Sequence, residues 1–238
     1  MKIYQIIFIL LSVVLSIDSS AQELKSNSLF DKNVTYKYWK VWWNDSLAVC
    51  QDSRGTRIDT IFKNISKYED DTIAMRVYYY YESNQLLSIV GPYITFKVTY
   101  DGSGGAHPIY GTYYKLYNIE TACEFSLLDI FNSSDIYTAL LKNNKIRKYL
   151  TTSDPSNLDE LLNNLDGQCE VDFSDILNDF AFYDVHGNSV LIEFGLTHGC
   201  EALHGKFTSI DIFLPIPGDK QALFQRAKDN KTLKKYLE

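Results

Sequence analysis

The spacing of hydrophobic and polar positions changes several times along the chain, and each change marks an element. Over residues 36–43 and 46–50, aromatic or aliphatic residues alternate with polar ones, which predicts half-buried strands. Residues 73–81 carry four consecutive tyrosines, Tyr78, Tyr79, Tyr80 and Tyr81, and their aromatic, β-branched character predicts another strand. Successive side chains of a strand point to opposite faces, so some of these tyrosines are expected at the surface. Residues 88–100 predict a strand pair or one strand bent at Gly91-Pro92, since proline has no N–H for a central ladder. The segment DGSGGAH, residues 101–107, is the strongest break in the chain, and alternation resumes over residues 110–119.

Beyond residue 120 the period lengthens. Residues 127–131, LLDIF, begin a helical stretch, and Asn132, Ser133, Ser134 or Asp135 can cap a second helix reaching about residue 150. Its basic end, Lys142, Lys145, Arg147 and Lys148, complements the helix dipole and reads first as a solvated helix end. Ser153-Asp154-Pro155 separates it from a shorter helix through Leu158, Leu161, Leu162 and Leu165. Residues 180–185 and 190–194 flank His186-Gly187-Asn188, a hairpin signal. An irregular loop is expected over 195–205, a strand over 207–214 ended by Pro215 and Pro217, and a closing amphipathic helix over 219–237. Strands, then helices, then strands, without regular βα alternation, predict an α+β domain with a mostly antiparallel sheet and a few helices.

Before that domain, residues 1–22 read MKIYQIIFILLSVVLSIDSSAQ: a basic start at Lys2, an apolar run over 6–17, then Ser19, Ser20 and Ala21. This is the pattern of a secretory signal peptide, with an apolar run too short to span a bilayer. The expected organisation is a signal peptide over 1–21, N-terminal strands of the same domain over 22–59, its main α+β part over 60–220, and a C-terminal helix over 221–238. A periplasmic or secreted protein with no transmembrane segment in the mature chain follows. The net charge of −7 argues against nucleic acid as a partner. The four cysteines, Cys50, Cys123, Cys169 and Cys200, are even in number, and export predicts two disulfides among three possible pairings.

Candidate chemistry concentrates in two loops. His107 follows glycines that leave backbone amides uncovered, so it either contacts a ligand or pins its own loop through a backbone carbonyl. His198, Cys200, Glu201 and His204 are metal-ligand types within seven residues, but their spacing matches neither HExxH nor a zinc knuckle, and no metal is expected. Ser103 lies in a flexible glycine turn without a paired base, and no nucleophile elbow, P-loop or dinucleotide fingerprint occurs, so neither a catalytic set nor a cofactor is assigned. Glu193 alternates with apolar residues of its strand and is expected on the wet face. Trp39, Trp42 and Trp43 read as core.

The stretch ITFKVTYDGSGGAHPIYGTYYKLYNIETACEFSLLDIF resembles the hallmark of the extracytoplasmic domain family shared by RsiV-type anti-sigma factors and the amino-terminal region of PdaC-type deacetylases. The matching features are Tyr100, the loop 104–107, the strand with Tyr114 and Tyr117, and the turn 127–131. The final hairpin, loop and strand, within 179–216, resemble the same family, so the likeness covers roughly residues 60–220. It implies an extracytoplasmic α+β domain that binds a protein, lysozyme in the family's best understood type. Where the family shows a tyrosine-containing stretch this chain has Thr197-His198-Gly199-Cys200-Glu201, and it carries neither a transmembrane helix, a sigma-binding segment nor a deacetylase domain. The resulting expectation is a non-catalytic binding or sensing module for an envelope or wall-associated protein or glycan, contacting it through Gly104, Gly105, His107, Tyr110, His198 and His204. The alternative is a small cell-wall or carbohydrate hydrolase using His107 and a carboxylate.

Overall fold

The computed structural model describes residues 30–71, 76–103, 109–152, 154–168, 170–197 and 207–238. The signal-peptide expectation therefore lies outside the described residues. The described residues fall into two compact units, one running to Asn44 and including Ala48–Thr60, the other comprising Asp45–Leu47 and Ile61–Glu238.

The first unit is built on a sheet in the order β1-β2-β3-β4, with β1 Lys32–Tyr36, β2 Trp39–Trp43, β3 Leu47–Asp52 and β4 Ile58–Lys63. The single strand expected over 36–43 is instead a turn followed by a strand, because Lys37 takes a positive φ of 49° and reverses the chain. Trp39, Val41 and Trp43 then share the buried face at a period of two, as the tryptophan reading anticipated, while Trp42 is half-exposed. Asp52 closes the β3–β4 turn by accepting the N–H and hydroxyl of Thr56 at 2.8 and 2.6 Å.

The second unit contains two antiparallel sheets. One runs β5-β6-β7-β8, with β5 Ile65–Asp71, β6 Arg76–Val90, β7 Tyr93–Ser103 and β8 Ile109–Asn118. The turn from β6 to β7 is the expected break at Gly91-Pro92, where Gly91 has φ 59°. The other sheet runs β11-β10-β9, with β9 Phe180–His186, β10 Ser189–Thr197 and β11 Phe207–Pro215. Its β9–β10 turn is the expected His186-Gly187-Asn188, with Gly187 at φ 57°. Five α-helical segments are described: α1 Ser133–Lys142, α2 Asn144–Arg147, α3 Leu158–Asn163, α4 Gln221–Asp229 and α5 Lys234–Leu237. The fold class is α+β.

The main core gathers Leu127, Ile136, Leu140, Ile146 and Leu161 from the helical half against Phe180, Phe182 and Phe194 of the second sheet and Phe224 of α4. Phe182 meets Phe180 and Phe224 edge to face, at ring separations of 5.4 and 5.2 Å, the geometry the aromatic quadrupole favours. A smaller cluster of Leu87, Tyr114 and Ala181 joins one residue each of β6, β8 and β9.

Three boundaries differ from expectation for local reasons. The helix expected to reach residue 150 breaks at Asn143, whose ψ of 120° is extended and whose side chain caps α2 by accepting Lys145 N–H at 2.8 Å and Ile146 N–H at 3.2 Å. The closing helix breaks at Lys231, with φ 56°, leaving α5 separate. β10 continues through Gly195 to Thr197, so the irregular loop begins later than Gly195.

Candidate binding surface

At one end of the β5–β8 sheet the strand register assembles tyrosines on both faces. Glu82 lies opposite Tyr100, Tyr100 opposite Gly111, and Tyr80 two residues before Glu82, so these positions share a face with Tyr113. Gly111 is what lets the Tyr100 ring cross β8: a Cβ there would stand 2.5 Å from the Tyr100 hydroxyl. The Tyr100 and Tyr113 rings lie 6.3 Å apart. Tyr80 donates its hydroxyl to Glu82 at 2.9 Å, and Asn84 donates to the other Glu82 oxygen at 3.1 Å. Burial, reinforced by that bond to Glu82, pushes the Tyr80 phenol up to about 12. On the opposite face Asp101 is in register with both Tyr81 and Tyr110, and Tyr79 donates to it at 3.4 Å.

Tyr80, Tyr81, Tyr110 and Tyr113 are 39, 48, 38 and 37% exposed. Each face of this sheet end therefore exposes two tyrosines, Tyr80 and Tyr113 on one and Tyr81 and Tyr110 on the other, which combine apolar contact area with hydrogen-bonding tips, a side-chain type favoured at recognition surfaces. Of the residues expected to bind, Tyr110 lies at this sheet end, on the face opposite Tyr80 and Tyr113. Gly104, Gly105, His107, His198 and His204 lie outside the described residues.

The same unit holds a cleft of about 520 Å³ beside β8. Tyr113, Tyr114, Asp129, Asp172, Asp175 and Asp179 are among its lining residues. Asp179 accepts the Tyr114 backbone N–H at 2.6 Å. Burial pushes its carboxyl up to about 7, against the opposing effect of that hydrogen bond and with help from Asp175. Among the described residues no group of three or more histidine, cysteine or acidic side chains is placed to hold a metal ion.

Glu193 is not on a wet face. It is 8% exposed, and its Oε1 accepts the Tyr114 hydroxyl and the Lys234 amino group, each at 2.7 Å. The sequence flagged the carboxylate but held no sign of its cation, which arrives from α5, 41 positions away. Tyr100 was named only for the resemblance, and Glu82, Tyr113 and Asp179 were missed; the one available signal was Gly111, since glycine inside a strand marks a close approach.

The expectation of two disulfides fails at two of the four cysteines. Cys50 is a buried free thiol within β3, pushed up to about 11 chiefly by burial and then by Asp59, and Cys123 is an exposed free thiol. Cys169 and Cys200 lie outside the described residues. The two free cysteines occupy different compact units, and no spacing rule in the sequence could have registered that.

No family model, curated protein or solved structure matches the chain. Among the described residues no helix is long and apolar enough to cross a membrane.

Proposed function

We propose that this chain is an exported, non-catalytic binding module of the cell envelope whose contact surface is the tyrosine-bearing end of the β5–β8 sheet. The observation that carries the reading is the exposure of Tyr80 and Tyr113 on the face where the register sets them with Glu82 and Tyr100, with Tyr81 and Tyr110 exposed on the other face of the same sheet end. Aromatic rings in that position gain contact area at little conformational cost, and the hydroxyl bond from Tyr80 to Glu82 limits the freedom of that ring before a partner arrives. Export rests on the N-terminal pattern of Lys2, the apolar run and Ser19-Ser20-Ala21. The GGAH segment with His107, which carries the RsiV/PdaC-like resemblance, lies in sequence between Ser103, the last residue of β7, and Ile109, the first of β8. The ligand class is an envelope protein or a wall glycan.

The test is capture from envelope extract and from solubilised wall fragments by residues 22–238, compared with a Tyr80→Ser/Tyr113→Ser chain. A partner retained by the first and lost by the second, at unchanged thermal midpoint, supports the reading. Equal capture by both chains sinks it.

A second reading is favoured by Asp179 alone: a carboxyl raised to about 7 beside other carboxylates in a cleft is the arrangement that lets one act as general acid while another stays ionised. Release of sugar or peptide from wall fragments, abolished by Asp179→Asn, would move the protein into the hydrolase class.

A further inference from the structure

The amino group of Lys234 is enclosed by four other side chains. Glu193 and Glu238 each accept from Nζ at 2.7 Å, and the rings of Tyr114 and Tyr183 have their centroids 5.9 and 5.5 Å from it. Although burial opposes it, the bonds to Glu193 and Glu238 hold the Lys234 amine above its usual value, so it is charged. Carboxylate hydrogen bonds together with aromatic faces are the means by which binding sites take up cationic ligands. Here the ligand is a residue of the same chain.

Most of the box stays behind if that residue leaves. Tyr114, Tyr183 and Glu193 belong to β8, β9 and β10, which are held by their own ladders and by the core. Asp211, in register with Glu193 on β11, adds negative charge nearby. Its carboxyl is raised by burial and then by Glu193, as expected of a locally negative field. Only Glu238 travels with α5.

The segment carrying Lys234 is held in an unusual way for a terminal helix. Lys234 is its only buried side chain; Tyr236 is exposed, and Lys235 reaches Asp184 at 2.7 Å. Immediately upstream the chain is fixed: Leu233 is fully buried, and Thr232 exchanges two 2.7 Å hydrogen bonds with the Ile89 backbone. The helix beyond this anchor is thus held largely by ion pairs, with Leu237 only half-buried. A buried ion pair returns little net free energy, because desolvation offsets most of the attraction.

We propose that Glu193, Tyr114 and Tyr183 form a binding site for a primary ammonium group, that Lys234 occupies it as a displaceable internal ligand, and that an external unbranched alkylammonium takes its place when the 234–238 segment withdraws. The site is independent of the tyrosine-bearing sheet end, so failure of either assignment leaves the other standing. The external group is a free alkylamine or a lysine side chain of a partner, which share this chemistry.

The test uses the full mature chain with Lys234→Ala, which empties the box and leaves its walls. At constant ionic strength, replacing sodium chloride by n-butylammonium chloride raises the thermal midpoint of this variant with saturation. Tetramethylammonium, which has no N–H to give Glu193, does not, and neither cation rescues Glu193→Gln/Lys234→Ala. Rescue by Nα-acetyl-lysine methylamide at lower concentration than n-butylammonium points to a partner's lysine, and the reverse order to a free amine. A Lys234→Ala chain that responds to n-butylammonium no differently from sodium, or a double variant rescued equally, overturns the proposal. If Lys234→Ala does not fold, the wild-type chain decides: n-butylammonium at constant ionic strength accelerates hydrogen exchange of the 235–238 amides several-fold over sodium, and identical exchange overturns it.

Discussion

Asp179 and Tyr114 meet where the end of one sheet passes the edge of the other. The Asp179 carboxyl has a folded-state value raised from 3.8 to about 7, chiefly by burial. A raised acid binds more protons in the folded chain than in the unfolded one between those values. Its contribution to stability is therefore fully present below 3.8 and is lost as pH rises through about 7. Replacing Asp179 by Asn keeps an oxygen to accept the Tyr114 N–H and removes the titration. Urea midpoints measured from pH 4 to pH 8 should decline less steeply in Asp179→Asn than in the wild type. Nothing in the sequence distinguishes Asp179 from its neighbours Asp172 and Asp175, because the raised value comes chiefly from burial, which exists only in the folded chain, and persists against the Tyr114 N–H that β8 brings in from 65 positions away. Glu193 was visible as a carboxylate in an apolar strand, yet its burial became intelligible only with Lys234 beside it.

At the scale of elements, the strands were readable and the helix ends were not. Period-two alternation and turn residues located β2, β3, β6 to β8 and the β9–β10 hairpin, because those signals act between near neighbours in the chain. β1 was not separated from the strand expected over 36–43, and β4 and β5 escaped notice, since Ile58–Lys63 and Ile65–Asp71 follow one another with only Asn64 between them and lack a clean turn signal. The break between α1 and α2 depends on Asn143, which had been absorbed into a continuous helical pattern. Its Oδ1 caps two backbone N–H groups, and its Nδ2 donates to the Asp211 carbonyl at 2.7 Å, tying the helical break to β11. Asn143→Ala should lower stability by about 1–2 kcal/mol in urea titration, the usual cost of a lost cap. Asn143→Asp retains the capping oxygen and loses only the donor, so it should fall between the two.

For the molecule as a whole, the two described thiols report on different events. Cys123 is exposed, whereas Cys50 is buried in β3 with its thiol pushed up to about 11, which leaves almost no reactive thiolate at neutral pH. Under native conditions iodoacetamide should label Cys123 and spare Cys50, and labelling of Cys50 should appear only at denaturant concentrations that unfold the N-terminal unit. Peptide mapping by mass spectrometry reads both. The α+β class, the antiparallel strands, the turns at Gly91-Pro92 and Gly187, and the exposure of some of the tyrosine run followed from the sequence by itself, because periodicity and turn chemistry are local properties of the chain. Tertiary structure decided which tyrosines gather around Glu82, which carboxylate titrates near neutrality, and that Glu193 is enclosed with Lys234. Those outcomes depend on register and burial, which exist only once residues far apart in sequence share one low-dielectric environment.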